Sequence, residues 1–209
     1  MLWCCRQPHQ GAAGKAAPAP HIAGGSDLMH QLTAEGKSTG PIQSEELINY
    51  SLLNEARMKR LDKTIEIDDE VATEFQKIEE PQIWLVITES WCGDAAQNLP
   101  VIHKLAELND KIQLKLVLRD ENLELMDLFL TNNGRSIPKL IVLDNQLNVL
   151  NTWGPRPSFA TKMVHDYKEK NGSLDAQFKQ DLQVWYNKDK GKNVQEDFVN
   201  LINSTLIHS

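Results

Sequence analysis

The stretch ITESWCGDAAQNLP, residues 87–100, sets a cysteine between a tryptophan and a glycine where a run of apolar, β-branched residues gives way to a helical pattern. A thiol at a helix N-terminus faces unpaired backbone N–H groups and the positive end of the helix dipole, and both favour the thiolate, the form that attacks disulfides. The dipole alone supplies roughly 0.3–1 kcal/mol, under about one pKa unit at ~1.36 kcal/mol per unit. Asp94, two residues on, opposes the thiolate with a like charge, so the residues alone leave the sign of the net shift open. A redox pair would carry its second cysteine three residues after Cys92, and that position is Ala95. The chain therefore offers one candidate nucleophile there, without an internal partner to resolve a mixed disulfide.

Other chemistries are poorly provided for. His103 lies eleven residues after Cys92 on the same helical pattern, about 16 Å along the axis, too far to serve the thiol as a base. No second cysteine stands at ligand spacing and the histidines are scattered, so no metal site is expected. There is no glycine-rich phosphate loop, and no cofactor is expected.

The elements that must position Cys92 are legible from period and punctuation. Ser44, followed by Glu45 and Glu46, is a good N-cap for a helix with Ile48, Leu52, Leu53 and Ala56 on one face. A second helix carries Val71, Phe75 and Ile78, and Pro81 closes it. Residues 83–88, IWLVIT, are apolar on both parities, as in a strand buried on both faces. A helix follows Cys92 to about Leu108 with Pro100 inside it, then a strand over 112–118, a helix with Leu123, Met126 and Leu130, and a loop bracketed by Gly134 and Pro138. Residues 140–143 and 149–152 read as a hairpin. A helix over about 159–168 and a helical extension over about 173–206 close the chain; the stripes Phe178, Leu182, Trp185, Tyr186 and Val194, Phe198, Leu201, Ile202 are expected to pack on the domain or on a partner, with core the favoured reading. Helices connecting some strands and a hairpin connecting others imply an α/β fold with a mixed sheet covered on both faces.

The 209 residues, 41 % hydrophobic, suffice for one domain of ordinary size with additions. The expected division is a tail over 1–28 and a single domain over 29–209, with N-terminal helices at about 44–80. The tail is rich in Ala, Gly and Pro without periodicity and is expected to be disordered, an appended sequence if the natural start is Met29. A net charge of −7, with acidic residues spread along the chain, argues against nucleic acid and anionic membranes as partners. No apolar run approaches the roughly 20 residues that span a bilayer. Cys4 and Cys5 are adjacent and Cys92 is remote, so no disulfide framework arises and a reducing, cytoplasmic setting is expected.

Four landmarks in register now carry a resemblance: WCG at the end of a buried strand, Pro100 eight residues after Cys92 within the next helix, Ile137-Pro138 directly before a strand, and Gly154 after the hairpin. Over residues 83–168 the chain resembles the thioredoxin superfamily, and WCGD is similar to a subset of bacterial thioredoxin-like proteins. The resemblance implies a thioredoxin-like fold with Cys92 at an exposed helix tip as the catalytic thiol. It also implies a cis-proline at Pro138, and a groove of Trp91, Gly93, Asp94, Ile137, Pro138 and Gly154 in which the Ile137 backbone pairs with an extended substrate. Two departures concern the same half of the redox cycle: Ala95 replaces the resolving cysteine, and Val86 stands where many thioredoxins carry a buried carboxylate.

The expected function is accordingly monothiol thiol–disulfide exchange, with a protein disulfide or a low-molecular-weight thiol such as glutathione as partner. The alternative is a noncatalytic binding module that keeps the groove, with Cys92 a buried structural thiol, a common fate of free cysteine. An iron–sulfur carrier of the monothiol glutaredoxin kind is disfavoured by CGDA in place of CGFS.

Overall fold

Ser44 starts the first long helix as its cap chemistry requires: its hydroxyl accepts the Leu47 N–H at 3.2 Å, and α1 runs Glu45–Thr64. The computed structural model describes residues 29–206, so the expectation for 1–28 lies outside the described residues. The face that α1 buries is not the expected one. Leu52 and Leu53 are 45 % and 47 % exposed and Ala56 is exposed, while Ser51, Asn54 and Leu61 point inward. The reason is chemical: Ser51 and Asn54 dock on Ser90, through Oγ–Oγ at 2.7 Å and Asn54 Nδ2 donating to the Ser90 carbonyl at 2.9 Å. A count of apolar positions cannot register such a polar seam.

The rest follows the expected order. Helix α2 is Asp69–Phe75, with Val71, Phe75 and, just beyond it, Ile78 buried. Strand β1 is Gln82–Thr88, α3 is Gly93–Ala106 with Pro100 within it, and β2 is Ile112–Leu118. Helix α4, Leu123–Asp127, is shorter than expected, ending before Leu130. Strands β3, Lys139–Leu143, and β4, Val149–Trp153, form the hairpin. Its connection is organised by Asp144, whose Oδ1 accepts the N–H groups of Gln146 and Asn148, each at 2.8 Å. Helices α5, Ser158–Asn171, α6, Ala176–Asp189, and α7, Lys192–Leu206, complete the chain.

The sheet order is β2-β1-β3-β4. β1 and β2, joined through α3, are parallel, whereas β1–β3 and β3–β4 are antiparallel. Helices lie on both sides, so the α/β, mixed-sheet expectation holds. The main core centres on Trp84, whose ring lies 6.0 Å from Phe75 and 5.2 Å from Phe198 of α7. Trp153 of β4 reaches the same Phe198 at 5.2 Å. The α7 stripe Val194, Phe198, Leu201 and Ile202 is thus part of the main core, as expected. The α6 stripe packs differently: Phe178, Leu182 and Tyr186 form a separate small cluster with Ala160 and Val164 of α5. Trp185 stacks on the half-exposed Phe159 at 5.5 Å.

Candidate functional site

Cys92 is the N-cap of α3, with extended backbone, and its sulfur accepts the Ala95 N–H at 3.4 Å. Opposite lies the Ile137–Pro138 peptide bond, which is cis; the thiol donates to the Ile137 carbonyl at 3.3 Å. The expected exposed tip is not what the structure has: Cys92 is 8 % exposed and belongs to the main core. Burial, with the Asp94 charge as the second cause, pushes the thiol up to about 12. The backbone N–H groups of Ala95 and Asp94 pull the other way, but more weakly. The sign that the residues alone left open is therefore set by desolvation, a long-range property that no local motif contains.

Asp94 is not a free helix-terminus charge. Arg156, two residues after Gly154, pairs with it at 2.6 Å, and the Tyr186 hydroxyl of α6 donates to it at 2.9 Å. Burial raises the Asp94 pKa against the pull of Arg156 and Tyr186. Tyr186 is itself pushed well above the usual phenol value, first by burial and then by the Asp94 charge. Gln183 of α6 accepts from Gln97 Nε2 at 2.9 Å, and its own amide nitrogen would lie 3.6 Å from a Cβ placed on Gly93. The C-terminal extension therefore roofs the two residues that follow Cys92.

The turn before Cys92 is pinned from the other side. The Ser90 N–H donates to Thr39 Oγ1 at 2.8 Å and the Thr39 N–H donates to Ser90 Oγ at 3.0 Å. Glu89, buried, accepts from the Thr39 hydroxyl and, at 2.8 Å, from the Asp120 N–H. Burial raises the Glu89 pKa despite both hydrogen bonds. Trp91 carries the Arg119 guanidinium over its ring at 4.8 Å.

Of the expected groove residues, Ile137 meets Cys92 and Pro138 meets Gly154, while Trp91, Gly93, Asp94 and Gly154 are half-buried. Ile137, Pro138 and Trp153 are buried, and the Ile137 carbonyl that an extended substrate would use is occupied by the Cys92 thiol. Gly154 has φ +107°, and a Cβ there would sit 2.3 Å from the Pro138 carbonyl oxygen, so only glycine lets the two segments cross. The residues missed by sequence reasoning are Thr39, Glu89, Ser90, Ser51, Asn54, Arg156, Gln183 and Tyr186. None had a signal in the sequence, because the burial of Asp94 that calls for the Arg156 cation is set by segments more than 60 residues away. Among the described residues, the one convergence of three metal-capable side chains is His165, Asp166 and Glu169, all exposed on α5 and remote in sequence from this turn. No helix among them is long and apolar enough to cross a membrane.

Known structures share this fold at low identity. A protein of unknown function from Pseudomonas aeruginosa, solved at 1.5 Å, is 20 % identical; the match covers 72 % of this chain and 84 % of that one with a TM-score of 0.54. An HIV epitope scaffold is 17 % identical over 83 % of this chain and 96 % of its own, with a TM-score of 0.53. These likenesses speak to fold alone. No curated protein matches the chain. The sequence profile of the family described as Thioredoxin matches residues 40–168, taking in the Thr39-adjacent segment, the WCGD turn, the Ile137-Pro138 bond and Gly154, and the chain belongs to that thioredoxin family.

Proposed function

We propose that this chain is a monothiol exchange protein whose nucleophile is Cys92. The observation that carries the reading is the Cys92 sulfur at the α3 N-cap, accepting the Ala95 N–H at 3.4 Å beside Ile137-Pro138. A backbone donor aimed at sulfur favours a thiolate far more than a thiol. In the reaction, the Cys92 S–H loses its proton to solvent and the thiolate attacks one sulfur of a disulfide. A new S–S bond forms to Cys92, and the other sulfur leaves as a thiolate that takes up a proton. Ala95 supplies no second thiol, so an external thiol attacks the partner's sulfur, forms a disulfide with it and releases the Cys92 thiolate. Glutathione or a protein thiol fills that part in a reducing compartment.

The test is mass spectrometry of the Cys92-bearing peptide after exposure to oxidised glutathione at pH 7–9. One glutathione adduct on Cys92, removed by reduced glutathione, is the expected result; no adduct at any pH in that range refutes the proposal. A second reading, a noncatalytic binding module, is favoured by one observation: the thiol is buried, held protonated up to about 12 and bonded to the Ile137 carbonyl. Its signature is partner binding that survives Cys92→Ser.

A further inference from the structure

Five arginines lie among the described residues, and three of them are paired with a carboxylate: Arg119 with Asp120, Arg135 with Asp127 and Arg156 with Asp94. Arg57 and Arg60 of α1 have no such partner among the described residues. Each donates to a neutral amide oxygen instead, Arg57 Nη1 to Asn54 at 3.0 Å and Arg60 Nη2 to Asn187 of α6 at 2.7 Å. No acidic residue stands three or four positions from either along α1, the spacing that would pair them on the helix surface. Arg57 is half-buried, and its pKa is lowered first by that burial and then by the charge of Arg60. Two guanidiniums are thus held within reach of one another's field, one of them partly out of water, in a chain whose net charge is −7.

The space these cations border lies over the start of α3. Gly93 is half-buried, and a Cβ placed on it would stand 3.7 Å from Arg57 Nη1 and 3.6 Å from Gln183 Nε2 of α6. The two nitrogens are therefore at most about 7 Å apart, a span that one oxyanion bridges through two of its oxygens at N–H···O lengths of roughly 2.9 Å. Gln183 Oε1 already accepts from Gln97, which leaves Nε2 as the group turned toward Gly93. One turn further along α6, Asn187 fixes the Arg60 guanidinium. The α6 side of the seam is amide, not carboxylate, and adds a donor without neutralising the arginines. Asp94, next to Gly93, does not neutralise them either: its carboxylate is committed to Arg156 and to the Tyr186 hydroxyl.

We propose that the seam over Gly93 is an oxyanion site in which Arg57 and Gln183 grip a phosphate group, free or as the monoester of a small molecule, and Arg60 supplies the second positive charge. The chemistry selects phosphate over a single carboxylate. A phosphate group carries about −1.5 to −2 charge near neutral pH and at least three acceptor oxygens, matching two guanidiniums and an amide N–H. A carboxylate balances one guanidinium with its two oxygens. Glycine at 93 keeps the floor of the seam open, since a larger side chain would occupy the space between the two donors. Binding requires neither Cys92 nor a disulfide, so the site stands or falls apart from the exchange reaction.

The experiment uses the full chain in a chloride buffer at neutral pH and constant ionic strength, titrated calorimetrically with inorganic phosphate, with phenyl phosphate and with acetate. Saturable binding of phosphate or its ester with a Kd of about 1 mM or tighter is expected, and roughly tenfold weaker binding of acetate. Arg57→Gln should weaken phosphate binding roughly tenfold or more and Arg60→Gln about threefold. Lys111→Gln, an equal loss of charge at the opposite end of the sheet, should leave it unchanged. In nitrogen-15 correlation spectra of the unaltered chain, the Gly93 amide and the Gln183 side-chain amide should shift on titration, a readout that depends on no variant folding. The site is overturned by the absence of saturable binding of either phosphate up to about 20 mM, or by acetate binding as tightly. An affinity untouched by both arginine changes, or shifts that spare Gly93 and Gln183, overturns it equally. Tighter binding of phenyl phosphate than of inorganic phosphate identifies the ligand as an ester, and equal or weaker binding identifies the free ion. Failure of Cys92 to take a glutathione adduct removes the exchange reaction and leaves the oxyanion site in place.

Discussion

The burial of Cys92 has a measurable cost at alkaline pH. In the unfolded chain the thiol ionises near 9.0, and in the folded protein at about 12. A group whose folded pKa is raised gives stability that is fully present below its unfolded pKa and lost as pH rises toward the folded one. The loss is about 1.36 kcal/mol per pH unit, so between pH 8 and 10.5 it reaches about 2 kcal/mol. Lysines and tyrosines titrate over the same range, and the measurement must isolate the thiol. Urea unfolding of the unaltered chain and of Cys92→Ala, at both pH values and under reductant, does so, because the cavity left by alanine costs the same at each pH and cancels. The unaltered chain should lose about 2 kcal/mol more than the alanine variant. Equal losses would refute the reasoning, placing the folded thiol near its ordinary value and water already at the sulfur.

Four other perturbations read other parts of the site. Asp94→Asn removes the second-ranked cause of the high Cys92 pKa, so Cys92 alkylation at pH 8 should quicken; Arg156 loses its partner, and the urea midpoint should fall by roughly 1–3 kcal/mol of stability. Gly154→Ala puts a Cβ into the Pro138 carbonyl at a positive φ, backbone against backbone, and should cost roughly 3 kcal/mol or more by urea titration. Glu89→Gln tests the buried carboxyl: its folded pKa is raised, so the unaltered chain should lose stability relative to the glutamine variant as pH rises above 4.5, seen by thermal melts from pH 4 to 7.5. Asn54→Ala leaves the Ser90 carbonyl without its donor and should lower stability by roughly 1–3 kcal/mol, again by urea titration.

Elements whose period matches their burial were legible in the sequence. The strand IWLVIT and the stripe Val71, Phe75, Ile78 bury what their spacing says, while strand 112–118 fully buries only Ile112 and Leu114 of its alternating set and the hairpin leaves Val149 51 % exposed. So was the placement of Cys92 at a helix start, because the strand-to-helix switch is local. What failed was anything decided between distant segments. Helix α1 buries Ser51 and Asn54 because Ser90, more than 35 residues on, offers them bonds, and Leu52 and Leu53 are left outside. The exposed tip expected for Cys92 is replaced by a place in the main core beside Ile137, 45 positions later, and no dipole argument at the α3 N-terminus contains that desolvation.

The two additions to the thioredoxin core meet the same turn, but they hold it with unlike bonds. On one side Thr39 and Ser90 exchange backbone and hydroxyl hydrogen bonds, Ser51 and Asn54 add two more, and Glu89 is tied to Thr39 and Asp120, all at buried or half-buried positions. Breaking such a set strands several donors and acceptors at once, which makes it costly and cooperative. On the other side α6 contributes polar bonds of net worth about 0.5–1.5 kcal/mol each, while its apolar side chains are already satisfied within the α5–α6 cluster. A bond to α6 can therefore be lost for about its own worth, whereas a loss on the Thr39–Ser90 side propagates through the set. The asymmetry means that the Thr39 side, rather than α6, fixes the backbone of the turn from which Cys92 caps its helix.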